Sequence, residues 1–253
     1  MNILVTNDDG IKAEGIKQLV DELCKIGDVY VVAPEGERSA TSHHISIKGS
    51  VRFEEVEFSN AKKAFAVWGT PADCVHCGLH ILLEEKIDLL VSGINKGPNL
   101  SSDIIYSGTV AAAREGFIQG VPSMAVSLCD FNPDNYYMAA EYSRELALKY
   151  LELDDNRDYF ISVNIPNVSK EEIRGVRICD NVAKIVYEDS YEIENVDGIS
   201  YIRIKPLNRN VWHDRNDMRI DLSAVEANYI SISPLGNMHI SRNHIKSVEK
   251  LTK

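Results

Sequence analysis

The chain contains no run of about 18 apolar residues, so no segment of its 253 residues reads as a membrane-spanning helix. It has no basic n-region at its start. Met1-Asn2-Ile3-Leu4-Val5-Thr6 runs almost directly into Asp8 and Asp9, which argues against a secretory signal peptide. Cysteine is sparse and odd in number: Cys24, Cys74, Cys77, Cys129 and Cys179 sit mostly in apolar contexts and read as reduced core thiols of a cytoplasmic protein. No GxGxxG follows the first strand and no GxxxxGK[ST] occurs, so a dinucleotide fingerprint and a P-loop are both missing. Clustered Lys and Arg are missing too. The formal net charge is −11, split as −6 over residues 1–128 and −5 over the rest. Even acidity argues against wrapping long nucleic acid, because phosphate neutralisation needs clustered cations. It leaves room for a small phosphorylated substrate, which needs one local site. Internal repeats and low-complexity tracts are absent, and 44% hydrophobic with 26% charged residues is an ordinary globular balance.

What is present is an alternation of strands and helices. Asn2–Thr6 is a short apolar run ending in the polar turn Asn7-Asp8-Asp9-Gly10. Ile16, Leu19, Val20 and Leu23 then recur at helical spacing over about 14–26, and Asp28–Ala33 is a second apolar strand. That order is a βαβ unit, so the two strands are expected to be parallel and the fold α/β. Residues 39–67 alternate like exposed or hairpin strands and read as an antiparallel insertion. Thr70-Pro71-Ala72-Asp73 has the N-cap, first-turn Pro and early acid of a helix start, with the helix reaching about Leu83. A strand at 87–91, a polar loop at 96–108, a helix at 109–119, a strand at 122–128, a helix at 135–152 and a strand at 159–165 follow. Beyond Pro166 the rhythm changes to strand pairs over 175–206, a short helix at 221–227, a strand at 229–233 and an amphipathic tail at 239–251.

In open parallel sheets the ligand site lies beyond the carboxyl ends of the strands. There the first strand delivers Asp8 and Asp9, the second leads to Ser39, and the strand at 87–91 delivers Asn95, Gly97 and Asn99. These are hard oxygen donors, suited to Mg²⁺, Mn²⁺ or Ca²⁺ more than to Zn²⁺. Taken alone, the acidic pair fits equally well a helix cap plus a solvent-facing carboxylate. Ser107-Gly108-Thr109 opens the helix Val110 to Glu115 and presents free N–H groups, which suits phosphate, although a simple N-cap accounts for it equally. A metal site beside an anion site is more specific than either, and implies phosphate ester chemistry. Cys74-Val75-His76-Cys77 has no second CxxC and reads as helix core rather than a zinc site. His43 and His44 read as an exposed loop pair. His239 and His244 lie near the C-terminus, while Trp68, Tyr136 and Tyr137 read as packing residues.

Five motifs in fixed order carry a family resemblance. They are Asn7-Asp8-Asp9-Gly10; Ala33-Pro34 with Arg38-Ser39; Gly69-Thr70-Pro71-Ala72-Asp73-Cys74-Val75; Ser92-Gly93-Ile94-Asn95-Lys96-Gly97-Pro98-Asn99; and Tyr106-Ser107-Gly108-Thr109-Val110-Ala111-Ala112-Ala113-Arg114-Glu115-Gly116. The chain closely resembles the SurE family of stationary-phase survival proteins, metal-dependent nucleoside monophosphate phosphatases. Asp221 with Tyr229-Ile230-Ser231-Ile232-Ser233-Pro234-Leu235 resembles that family's closing strand. The resemblance implies one domain over 1–253: a Rossmann-like, mostly parallel sheet with flanking helices over about 1–165, and a mixed extension over about 166–253 that builds a homodimer or homotetramer. It implies 5′-nucleotidase activity, with 3′-nucleotides and short polyphosphate as further substrates. It implies one Mg²⁺ or Mn²⁺ per subunit held by Asp8, Asp9, Ser39 and Asn95, with Asp8, Asp9 and Asn95 in catalysis and Ser107, Gly108 and Thr109 on the phosphate. Ala40 departs from the family, which usually carries Gly there, and residues 180–215 match its pattern poorly. Two other functions compete with the phosphatase: a non-catalytic, metal-dependent nucleotide sensor and a receiver-type signalling domain.

Overall fold

The computed structural model describes residues 1–133 and 135–236. β1 (Asn2–Thr6) is buried from Ile3 onward, as a strand covered on both faces must be. α1 (Glu14–Leu23) presents Ile16, Leu19, Val20 and Leu23 to the sheet. β2 (Asp28–Pro34) returns parallel to β1, with Val5 opposite Val31. The expected insertion divides in two. β3 (Phe53–Glu55) is exposed and antiparallel to β4 (Lys63–Val67), but β4 is buried from Ala64 to Val67 and pairs parallel to β2. The Ala64–Val67 run therefore belongs to the main sheet. A four-residue apolar run has too few turns of pattern to separate one buried face from two.

α2 (Pro71–Cys77) starts on a complete capping box: the Asp73 N–H donates to Thr70 Oγ1 at 3.1 Å and the Thr70 N–H to Asp73 Oδ2 at 2.9 Å. The helix widens into a π-type turn, Gly78–Leu82, before ending near the expected Leu83. β5 (Leu89–Lys96) is longer than expected and carries Ser92 to Asn95 within the strand. Its pairing with β6 (Ser123–Leu128) shifts register between Ser92 and Asn95. The polar loop after β5 contains a 3₁₀ turn, Ser101–Ile105. α3 (Gly108–Ile118), α4 (Tyr137–Leu151) and β7 (Phe160–Ile165) stand where the sequence placed them.

The region beyond Pro166 contributes β8 (Val176–Ile178), α5 (Asp221–Glu226) and β11 (Ile230–Leu235). β11 pairs antiparallel to β7 and parallel to β8, so the main sheet runs β3-β4-β2-β1-β5-β6-β7-β11-β8. β9 (Lys184–Val196) and β10 (Ile199–Trp212) form a separate two-stranded antiparallel sheet. The tail at 239–251 lies outside the described residues.

The core has two layers, one on each side of the sheet. Ile3 and Val5 meet α1 and α4 on one face, while Leu4, Val32 and Val67 meet α2 and α3 on the other. From β1 the chain moves outward through β2 and β4 on one side and through β5, β6 and β7 on the other. The order reverses between β1 and β5, and a crevice opens at such a switch point beyond the carboxyl ends of the strands. No helix among the described residues is long and apolar enough to cross a membrane. All five cysteines are unpaired.

Candidate metal centre

Asp8 and Asp9 follow β1 at the switch point, in a turn braced by Asn7. The Gly10 N–H donates to Asn7 Oδ1 at 3.1 Å, and Asn7 Nδ2 donates to the Gly10 carbonyl at 2.9 Å. Gly10 adopts φ +98°, and a Cβ there would lie 2.9 Å from the Gly36 carbonyl carbon, so only glycine fits. Asp8 is buried. Its Oδ2 accepts the Thr109 N–H at 3.1 Å and its Oδ1 accepts the Thr109 hydroxyl. Burial pushes its carboxyl up to about 6, against the pull of the Thr109 bonds and with a smaller push from Asp9. Asp9 is half-buried, and its Oδ2 accepts the Lys96 N–H at 2.9 Å. Burial raises this carboxyl as well, while the Lys96 N–H and ammonium pull it down and Glu37 pushes it up.

Asn95, at the end of β5, is half-buried. Its Nδ2 donates to the Gly97 carbonyl at 2.7 Å, and its amide oxygen accepts no hydrogen bond among the described residues. Ser39 is exposed on the segment after β2, and its hydroxyl donates to Glu37 Oε1 at 2.7 Å. The neighbouring Arg38 N–H donates to the Asp8 carbonyl at 2.7 Å, which ties this segment to the acidic turn. Ala40 sits at φ 56°, a left-handed conformation that favours glycine.

These residues fit a hard divalent cation. Two adjacent carboxylates, one of them buried, have no lysine, arginine or histidine within ion-pair distance among the described residues. Their repulsion and desolvation call for a cation from outside the chain. The donors that Asp8, Asp9, Asn95 and Ser39 offer are all oxygens, the chemistry that Mg²⁺ and Mn²⁺ prefer. Among the described residues no group of three or more His, Cys, Asp and Glu is placed to hold a metal. The candidate set has two carboxylates, and an amide and a hydroxyl complete it.

The phosphate-side residues are partly engaged within the protein. Ser107 caps α3, its Oγ accepting the Val110 N–H at 3.1 Å, which leaves its own O–H free to donate. Both Thr109 donors hold Asp8, so the anion at this helix N-terminus is a carboxylate of the chain itself. The Gly108 N–H meets no acceptor among the described residues. Asn99, gathered with Asn95 by the sequence, is buried, lines the cleft over the site and is held by structural hydrogen bonds. Its N–H donates to Asn164 Oδ1 at 2.8 Å and its Nδ2 to Ser127 Oγ at 2.9 Å. Lys96, inside one quoted motif, and Glu37, beside another, were not singled out as site residues. Lys96 brings a cation and an N–H to Asp9, and Glu37 holds Ser39.

A cleft of about 860 Å³ opens over the site, lined by Asp8, Ser39, Asn95, Lys96 and Ser107 and by Ile105, Tyr106, Phe131, Ile185 and Ile204. It offers polar groups for a phosphate and apolar groups for a flat ring in one space. Cys74 is buried in α2, and its thiol is pushed well up, first of all by desolvation, in keeping with a core role. His43 does not project freely from its loop; it bonds Glu115. His44 is exposed, Trp68 packs under the Arg52 guanidinium at 4.0 Å, Tyr136 is buried, and His239 and His244 lie outside the described residues.

The chain is similar to known proteins over its whole length. The family described as Survival protein SurE matches residues 3–188. The chain is 42% identical over 255 residues to the 5′-nucleotidase SurE of Alkaliphilus metalliredigens, covering 99% of this chain and 97% of that one. It is 38% identical over 254 residues to the 5′-nucleotidase SurE of Clostridium botulinum, covering 99% of both. The crystal structure of SurE protein from Aquifex aeolicus superposes with a TM-score of 0.82 at 33% identity, covering 100% of each chain. With motifs, sheet order and full-length similarity in agreement, the chain belongs to the SurE family.

Proposed function

We propose that the chain is a divalent-metal-dependent 5′-nucleotidase that hydrolyses nucleoside 5′-monophosphates, with 3′-nucleotides and short polyphosphate as further substrates. One observation carries the reading: a carboxylate pair with no cationic side chain within ion-pair distance among the described residues lies at the switch point, and Asp8 of that pair lines a cleft with both polar and apolar groups. The 5′-nucleotidase names of the full-length relatives support it. Asp8, Asp9, Asn95 and Ser39 hold one Mg²⁺ or Mn²⁺ per subunit. A divalent cation bound there supplies Lewis-acid polarisation of a phosphoryl oxygen and acidifies water. Asp9, held on one oxygen by the Lys96 N–H, uses the other to orient or deprotonate the attacking water. Thr109 fixes Asp8, while the Gly108 N–H, the Ser107 hydroxyl and the Lys96 ammonium donate to the phosphoryl oxygens. The free thiols support a cytoplasmic setting. The chain assembles as a homodimer or homotetramer through its extension, supported by the exposed Ile193 and Ile202 of the β9–β10 hairpin.

Phosphate release from AMP with Mn²⁺, with and without EDTA, tests the reading. EDTA is expected to abolish release, and folded Asp9→Asn to lose about 100-fold or more in turnover. EDTA-resistant release, or near-wild-type turnover of Asp9→Asn, overturns the assignment. Tight AMP binding without release marks a nucleotide sensor. Because the net charge of −11 repels a phosphate ester, the metal-free protein is expected to bind AMP weakly even at low salt.

A further inference from the structure

Glu115 lies in α3 two turns beyond Thr109, buried, and takes no part in the site described above. Its Oε2 accepts His43 Nε2–H at 2.9 Å; its Oε1 accepts Gln119 Nε2–H at 2.8 Å and faces His76 Nδ1 at 3.4 Å. An ionised carboxylate only accepts, so His43 is the donor. His43 belongs to the segment after β2 that carries Ser39, and this segment has no helix or strand of its own before β3. Ala40 at φ 56° and Ser42 at φ 52° are conformations that L-residues adopt only when something outside imposes them. The segment's other fastenings hold it elsewhere. Arg38 is tied to the Asp8 carbonyl, Ser42 to the carbonyls of Ile105 and Tyr106, the His44 carbonyl accepts the Thr70 hydroxyl at 2.6 Å, and Ser46 is tied to the Asp73 carboxylate. His43–Glu115 joins the segment to α3, the helix whose first turn also holds Asp8.

We infer that Glu115, acting through His43, is a positioning residue of the metal centre: α3 holds Asp8 at its start and the Ser39 segment two turns later, and so fixes the distance between two donors delivered by different strands. The inference rests on the proposed metal centre. A satisfied carboxylate with a purely packing role would also match the hydrogen bonds, and the two roles differ in what they do to metal affinity.

The test is Mn²⁺ titration calorimetry on wild type, His43→Ala, Glu115→Ala and Glu115→Gln, with melting temperatures measured alongside. Partners behind a metal ligand typically control affinity by about 10–100-fold. His43→Ala and Glu115→Ala are each expected to weaken Mn²⁺ binding about tenfold, and the double variant no further. Glu115→Gln, which keeps an oxygen for His43, is expected to recover most of the loss. In a Ser39→Ala background His43→Ala is expected to change nothing more. Folded His43→Ala with wild-type Mn²⁺ affinity overturns the inference, and this variant in a half-buried loop serves if Glu115→Ala fails to fold. A wild-type chain that hydrolyses AMP and binds Mn²⁺ while His43→Ala changes only the melting temperature overturns the positioning role alone. A wild-type chain that binds no Mn²⁺ overturns the metal centre itself.

Discussion

Asp8 and Glu115 are both buried carboxylates, and their surroundings push them in opposite directions. Desolvation dominates at Asp8 and lifts it from 3.8 to about 6. At Glu115 desolvation also pushes upward, but hydrogen bonds from His43, Gln119 and His76 outweigh it and hold the group at about 2. The folded state keeps a proton on Asp8 that the unfolded chain has lost, so that contribution to stability is full below the unfolded pKa of 3.8 and disappears as pH rises through about 6. Glu115 has the opposite sign: its contribution is full above 4.5 and disappears as pH falls toward about 2. Melting temperatures in EDTA check this. Wild type minus Asp8→Asn is expected to shrink as pH rises from about 4 to about 7, and wild type minus Glu115→Gln to shrink as pH falls from about 4.5 to about 2. Differences that stay flat across these windows contradict it. At this scale the sequence could propose Asp8, Asp9 and Ser39 because each stands in a short motif after a strand, and Asn95 because its motif closes β5. Glu115 was not, because a buried carboxylate looks like any other Glu in a helix until its partner from 72 residues away is known.

α3 shows how an element carries the site. Its start was readable from Ser107-Gly108-Thr109, since the hydroxyl caps and glycine allows close approach. A Cβ on Gly108 would lie 2.9 Å from Asp8 Cβ and 3.1 Å from Pro71 Cγ, and neither neighbour is the free end of a flexible side chain. Gly108→Ala is therefore expected to cost about 1–3 kcal/mol of stability and, by displacing Asp8, to weaken Mn²⁺ binding measured by calorimetry. Gly36→Ala, where a Cβ meets nothing within 4 Å, is the control expected to retain both. An unshifted Mn²⁺ affinity in Gly108→Ala would show that Asp8 tolerates the intrusion. Other elements were less readable. The 3₁₀ turn at Ser101–Ile105 is held from a distance, the Ser101 N–H and hydroxyl donating to Asp221 at 2.6 and 2.7 Å, and no local pattern announces it. β4 has the same difficulty, because its parallel partner lies beyond a long irregular connection.

For the whole molecule, the sequence showed the first βαβ unit and strand pairs over 175–206 but neither the sheet order nor that β9 and β10 stand apart from the main sheet, because, of their described residues, only Ile185 and Val211 near their base meet a core while residues 191–204 are exposed. Tyr191 stands opposite Ile204 and Ile193 opposite Ile202, so these four share one face, with Ile193 70% and Ile202 69% exposed. An apolar strip of this kind on a two-stranded ribbon is where a second copy is expected to dock. Ile193→Glu with Ile202→Glu is expected to lower the mass measured by light scattering while leaving the circular dichroism of the core unchanged, and an unchanged mass removes the hairpin from the assembly. The spacing of the site's partners along the chain has a further consequence. Asp8 lies 101 residues from Thr109 and Asp9 lies 87 from Lys96, while Ser101 lies 120 from Asp221. Chains are made from the N-terminus, so the acidic pair leaves the ribosome first and its anchors follow. Thr109 and Lys96 are in place by residue 109 of 253, so a nascent chain gains the pair's own anchors before half of it is made, whereas the cleft wall at Ser101 stays unanchored until Asp221 emerges. Truncation before Asp221 would leave the parts of the centre in the sequence but not the contact that holds its wall.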